Sequence, residues 1–174
     1  MFEDRLAQLE GAEACRATAT GMAAVFAALA CQLRAGDRVV ASRALFGSCL
    51  YIVQDQLPRW GVETVLVDGR DLKQWKEALS QKTKLVFFES PSNPTLEIVD
   101  IEAVSKLAHK AGARVVVDNV FSSPVLQKPL QLGADIVVYS ATKHIDGQGR
   151  AMGGAILGSK EFVEAVLQPV LRPT

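Results

Sequence analysis

Short apolar runs rich in β-branched residues alternate along the chain with segments whose apolar positions recur at helical spacing. Ala14 to Thr18, Arg38 to Ser42, Val62 to Val67, Lys84 to Glu89, Arg114 to Val117, Asp135 to Tyr139 and Gly154 to Gly158 read as strands. Phe2 to Leu9, Gly21 to Leu33, Ser48 to Trp60, Leu72 to Leu79, Ile101 to Ala111 and Lys160 to Leu171 read as helices, with Pro58 expected to stop the third. Asp100 is placed to cap the helix that follows it, and Gly112 stands just past that helix's end. This alternation predicts an α/β fold, a mostly parallel sheet of about seven strands with helices on both faces. No repeat, low-complexity segment or linker interrupts it, so residues 1–174 are expected to form one domain.

Composition narrows the function without naming one. With 174 residues, 49% apolar and 22% charged, the chain can bury a real core. Lys plus Arg equals Asp plus Glu at 19 each, and the basic residues are scattered. A nucleic-acid or anionic-membrane partner is therefore not expected. The stretch from Met22 to Leu33 is too short to span a bilayer, and the acidic start Met1-Phe2-Glu3-Asp4 has no apolar leader, which predicts a cytoplasmic protein. Cys15, Cys31 and Cys49 lack metal-type spacing, and His109 and His144 lie far apart, so no metal site is expected.

Two strand ends carry the chemistry. Val115-Val116-Val117 runs into Asp118, and Ile136-Val137-Val138-Tyr139 runs into Ser140-Ala141-Thr142-Lys143. Taken singly, a loop lysine is ordinary solvated surface and a strand-end aspartate ordinarily caps a turn. Taken together at one edge of a parallel sheet, they suit pyridoxal phosphate, which forms a Schiff base with lysine and needs a carboxylate against its ring nitrogen. Lys143 would then serve as the base at the substrate Cα once displaced, and Asp118 would keep the ring nitrogen protonated. Ser140 and Thr142 offer hydroxyls to the phosphate, and Thr20-Gly21-Met22 opens a helix whose free N–H groups suit a dianion. Phe46, followed by Gly47, could stack on the ring, and the Asn93 amide could reach its phenolic oxygen. Neither GxGxxG nor GxxxxGK[ST] is present, which weighs against dinucleotide and P-loop readings.

Thr20-Gly21-Met22-Ala23-Ala24, Glu89-Ser90-Pro91-Ser92-Asn93-Pro94, Val117-Asp118-Asn119 and Ser140-Ala141-Thr142-Lys143 occur in that order. The set resembles the Cys/Met-metabolism, or transsulfuration, group of fold type I pyridoxal-phosphate enzymes, across essentially the whole chain. The run Lys143 to Arg150, followed by Met152-Gly153-Gly154, is similar to the branch that acts on O-succinylhomoserine. The resemblance implies replacement of the succinyl group by sulfide to give homocysteine, in methionine biosynthesis, with Arg150 as a candidate for the succinyl carboxylate. Gln148-Gly149-Arg150 stands where cystathionine lyases and γ-synthases usually carry His-Ser-Asp, and Phe46 stands where they carry Tyr, so a tyrosine-borne proton transfer does not carry over. The alternatives are another member of the group, such as cystathionine γ-synthase or methionine γ-lyase, or a cofactor-binding module without turnover. The resemblance also implies a homotetramer, an upstream Tyr-x-Arg segment and a C-terminal domain bearing a carboxylate-binding arginine. On that reading the chain is the large cofactor domain, cut at Arg172-Pro173-Thr174.

Overall fold

In the computed structural model, which describes residues 1–171, the apolar runs assemble into one seven-stranded sheet. The expectation attached to Arg172-Pro173-Thr174 lies outside the described residues. In chain order the strands are β1 (Ala14–Thr18), β2 (Arg38–Ser42), β3 (Glu63–Val67), β4 (Leu85–Glu89), β5 (Arg114–Asp118), β6 (Ile136–Ser140) and β7 (Gly154–Gly158). Across the sheet the order is β1-β7-β6-β5-β4-β2-β3. β7 runs antiparallel to both its neighbours, and the other pairings are parallel, which leaves every strand but β7 pointing one way. The carboxyl ends of six strands therefore meet at one edge.

The helices are α1 (Phe2–Glu10), α2 (Gly21–Ala30), α3 (Gly47–Tyr51), α4 (Leu57–Arg59), α5 (Leu72–Ala78), α6 (Ile101–Lys110), α7 (Ser123–Leu126) and α8 (Gln168–Leu171). Residues Ile52–Gln56 form a π-helical stretch between α3 and α4, and Phe162–Leu167 form another that leads into α8. Each π stretch is followed one residue later by a proline. Leu57 N–H bonds Ile52 O ahead of Pro58, and Gln168 N–H bonds Val163 O ahead of Pro169. A proline ring has no N–H to give and crowds the carbonyl four residues back; widening the preceding turn relieves that clash without ending the helix. Pro58 accordingly sits inside the last turn, where the sequence had suggested a stop. The short helix α7 and the 3-10 turn Pro129–Leu132 have no helical periodicity in the sequence.

Strand alternation divides the core between the two faces. Leu85 and Phe87, Val116, and Ile136 and Val138 face α2, the α3–α4 segment and residues 162–167. Val86 and Phe88, Val115 and Val117, and Val137 and Tyr139 face α1, α5 and α6. Trp75 of α5 is fully buried, edge-on to Phe88, and its Nε1–H donates to Gly69 O at 2.9 Å, so its one polar atom is satisfied. Asp100 caps α6 by accepting from Ala103 N–H at 2.9 Å, and Gly112 follows at φ 76°. β5 and β6 each extend one residue beyond their apolar run. Asp118 pairs with Val138 and Glu89, and Ser140 pairs with Gly154, so these polar residues are members of the ladder.

Candidate functional site

Neighbouring strands β4, β5 and β6 end on Glu89, Asp118 and Ser140. Asp118 is 5% exposed; Val120 N–H donates to its Oδ1 at 3.0 Å, and among the described residues no side chain or amide donates to Oδ2. Burial pushes this carboxyl from 3.8 up to about 7, and the negative charge of Glu89 adds to the effect. Glu89 is itself buried, which raises its proton affinity, while the backbone amides of Asn93 and Phe46 oppose that rise.

The start of α2 is seated against β6 and β7 by two glycines. A Cβ on Gly21 would fall 2.5 Å from Ser140 Cβ and 2.9 Å from its Oγ, and a Cβ on Gly154 would collide with the Thr20 carbonyl oxygen. Thr20 caps the helix, its Oγ1 accepting from Ala23 N–H at 3.0 Å. The first N–H groups, those of Gly21 and Met22, have no intrahelical acceptor, and the Ser140 hydroxyl packed against Gly21 makes no side-chain hydrogen bond among the described residues. Helix N-terminal amides beside a free hydroxyl form a seat for a dianion.

The remaining expected residues lie on loops at the same edge. Lys143 is exposed in the turn after β6, its N–H donating to Ser140 O at 3.2 Å and its carbonyl accepting from Gly147 N–H at 2.8 Å. Thr142 exchanges hydrogen bonds with Gly153: its hydroxyl donates to the carbonyl at 3.3 Å and accepts from the amide at 3.1 Å. That hydroxyl holds the approach to β7, whereas Ser140 points to the α2 start. Phe46 is 42% exposed between β2 and α3, and Asn93 is half-buried in the loop after β4. Arg150 stands apart in a turn organised by Asp146, whose carboxylate accepts from the Gln148 and Arg150 amides and lies 3.8 Å from the Arg150 guanidinium.

Two cavities open at opposite ends of the strands. One of about 460 Å³, lined by Gln32, Arg34, Lys84 and Arg114, opens at the opposite end of the strands. Another of about 420 Å³ lies beside the Lys143 turn, lined by Thr18, Ala141, Asp146 and Gly153.

A buried network behind Asp118 escaped the sequence reading. Tyr139 OH donates to Glu10, and Asn119 Nδ2 donates to Tyr139 OH at 2.6 Å and to Gln127 O at 2.9 Å. Gln127 Nε2 in turn donates to Ser90 O at 2.7 Å. The network ties α1 and the turn after Asp118 to β6. Burial raises Glu10 from 4.5 to about 7. Its signal was there to read: Glu10 occupies a position four residues after Leu6 and three after Ala7, on the apolar side of α1.

A model of the Cys/Met metabolism PLP-dependent enzymes matches residues 1–170. The chain belongs to this family of pyridoxal-phosphate enzymes. It is 60% identical over its whole length to the O-succinylhomoserine sulfhydrylase of Mycobacterium tuberculosis and covers 43% of that protein. It is 43% identical over 167 residues to an L-methionine gamma-lyase of Fusobacterium nucleatum, covering 95% of this chain and 42% of that one. A Campylobacter jejuni structure described as an O-acetylhomoserine (thiol)-lyase superposes with a TM-score of 0.87 at 36% identity, over 91% of this chain and 40% of that one. That protein carries N'-pyridoxyl-lysine-5'-monophosphate. The chain thus spans less than half the length of the relatives it matches.

The family's cofactor, pyridoxal phosphate, fits the residues present. Gly21 and Ser140 meet at the α2 start, where free helix N–H groups could receive a phosphate dianion, and Asp118 Oδ2, which has no donor among the described residues, could accept from a protonated ring nitrogen. Lys143, at the same edge, is the amine to which the cofactor could attach.

Proposed function

We propose that the chain is the cofactor-holding part, residues 1–174, of an enzyme that exchanges the succinyl group of O-succinylhomoserine for sulfide, yielding homocysteine and succinate. The observation that carries this reading is the meeting, on one sheet edge, of the donor-free Asp118 oxygen with the Gly21–Ser140 seat. The identity of 60% to the mycobacterial O-succinylhomoserine sulfhydrylase supports the choice of substrate.

When bound, the cofactor supplies a ring that withdraws electrons from the substrate Cα. Asp118 would keep its ring nitrogen protonated, and the Gly21 and Met22 amides with the Ser140 hydroxyl, joined by that of Thr142 once it leaves Gly153, would hold its phosphate. Lys143 would be the residue that holds the cofactor, and its amine would carry protons at the substrate carbons. Phe46 would stack against the ring without a hydroxyl to offer, Asn93 would bond its phenolic oxygen, and Arg150 would turn from Asp146 to the succinyl carboxylate. The Cγ–O bond breaks with its electron pair leaving on succinate, a Cγ–S bond forms, and no redox partner is needed. We further propose that the protein works in the cytoplasm, in methionine biosynthesis, as a homotetramer.

The test is homocysteine formation from O-succinylhomoserine and sulfide by the complete protein, alongside its Lys143→Ala variant. Product from the parent alone supports the reading. Release of 2-oxobutyrate from methionine, with no homocysteine from the succinyl ester, would move the assignment to a methionine γ-lyase, as the fusobacterial relative suggests.

A further inference from the structure

The reaction proposed above gives no part to Glu89, yet this side chain sits where the site is assembled. It is the last residue of β4, 3% exposed, and lies in register beside Asp118. Its Oε2 accepts from the Phe46 backbone N–H at 2.8 Å, and the nearby Asn93 backbone amide lowers its proton affinity. One carboxylate thereby holds the loop after β2, which carries Phe46, beside the loop after β4, which carries Asn93. The titratable groups that face it are Asp118 on β5 and Cys49 on α3. Among the described residues no basic side chain pairs with it, so backbone amides alone offset the cost of burying its charge. A polar residue needed only to tie two loops could be neutral. A second buried negative charge beside Asp118 has a purpose if a cation is to sit there.

We infer that Glu89 is a positioning residue: it pins the Phe46 and Asn93 loops to the sheet edge and backs Asp118 with a second negative charge that favours a protonated cofactor ring. The inference rests on reading this edge as the pyridoxal-phosphate site. The loop tether stands independently of that reading.

The test combines NMR of the apo chain with cofactor titration, on the parent, Glu89→Gln and Glu89→Asp. In the parent, the Phe46 and Asn93 amide protons should shift together as one neighbouring carboxyl titrates. Glu89→Gln, nearly isosteric, should abolish that shared titration, lower the pH at which Asp118 ionises and weaken pyridoxal-phosphate binding about ten-fold. Glu89→Asp keeps the charge but shortens the reach, so it should free the Phe46 amide while leaving the Asp118 titration near the parent's. A folded Glu89→Gln chain with unchanged amide shifts and unchanged cofactor affinity overturns the inference. A parent that shows the shared amide titration but takes up no cofactor upholds the tether and rejects the cofactor site.

Discussion

Asp118 shows how a buried position sets a residue's chemistry before any ligand arrives. Its carboxyl ionises near 3.8 in the unfolded chain but only near 7 when folded. The folded state thus holds an extra proton between those values, and stability falls as the pH rises from about 4 to about 7. The ceiling on that loss is on the order of 4 kcal/mol. Asp118→Asn should flatten this part of the pH–stability curve of the apo chain, measured by urea unfolding between pH 4 and 8. With pyridoxal phosphate bound, a protonated ring nitrogen supplies the missing counter-charge, so the cofactor should stabilise the parent most above pH 7 and Asp118→Asn least. An equal cofactor-induced shift in both proteins would remove Asp118 from the ring. Glu10, also raised to about 7, adds to the same alkaline loss, and Glu10→Gln should recover part of it.

The α2 start is the element on which the proposed phosphate seat depends. Gly21 is required because of what lies opposite, the Ser140 Cβ and Oγ at 2.5 and 2.9 Å from where a side chain would begin. Gly21→Ala should push α2 off β6 and weaken phosphate retention, read as a rise of ten-fold or more in the pyridoxal-phosphate dissociation constant, whereas its own helix propensity would favour Ala. An unchanged constant would show that the dianion seat lies elsewhere. A contrasting control is Asp100, which caps α6 away from the site through Ala103 N–H. Asp100→Ala should cost about 1 kcal/mol in unfolding experiments and leave cofactor affinity intact.

Across the molecule, several exposed apolar side chains lie at the functional edge: Leu96 and Ile98 after β4, Val125 and Leu126 in α7 after β5, and Met152 before β7. Such a patch favours association, so the chain by itself should sediment heavier than 18.7 kDa as concentration rises and bind a hydrophobic dye. A dye-silent monomer would contradict this. What the sequence determined alone is local. β-branched runs and helical spacing placed the strands and main helices, since each reports the burial of its own side chains, and the run-ending residues Asp118 and Ser140 followed from where the apolar pattern stopped. Thr20 and Gly21 at a helix start, and Lys143 in the turn after a strand, were legible in position for the same reason. What only the tertiary structure decided is who faces whom. The sheet order puts Glu89 beside Asp118, seats Gly21 on Ser140 and carries Tyr139 to Glu10, joining residues far apart in the chain. It also turned the Thr142 hydroxyl to Gly153 and widened the helix before Pro58. No local pattern encodes those outcomes, because strand register, close approach and buried-charge balance depend on the neighbour across the sheet.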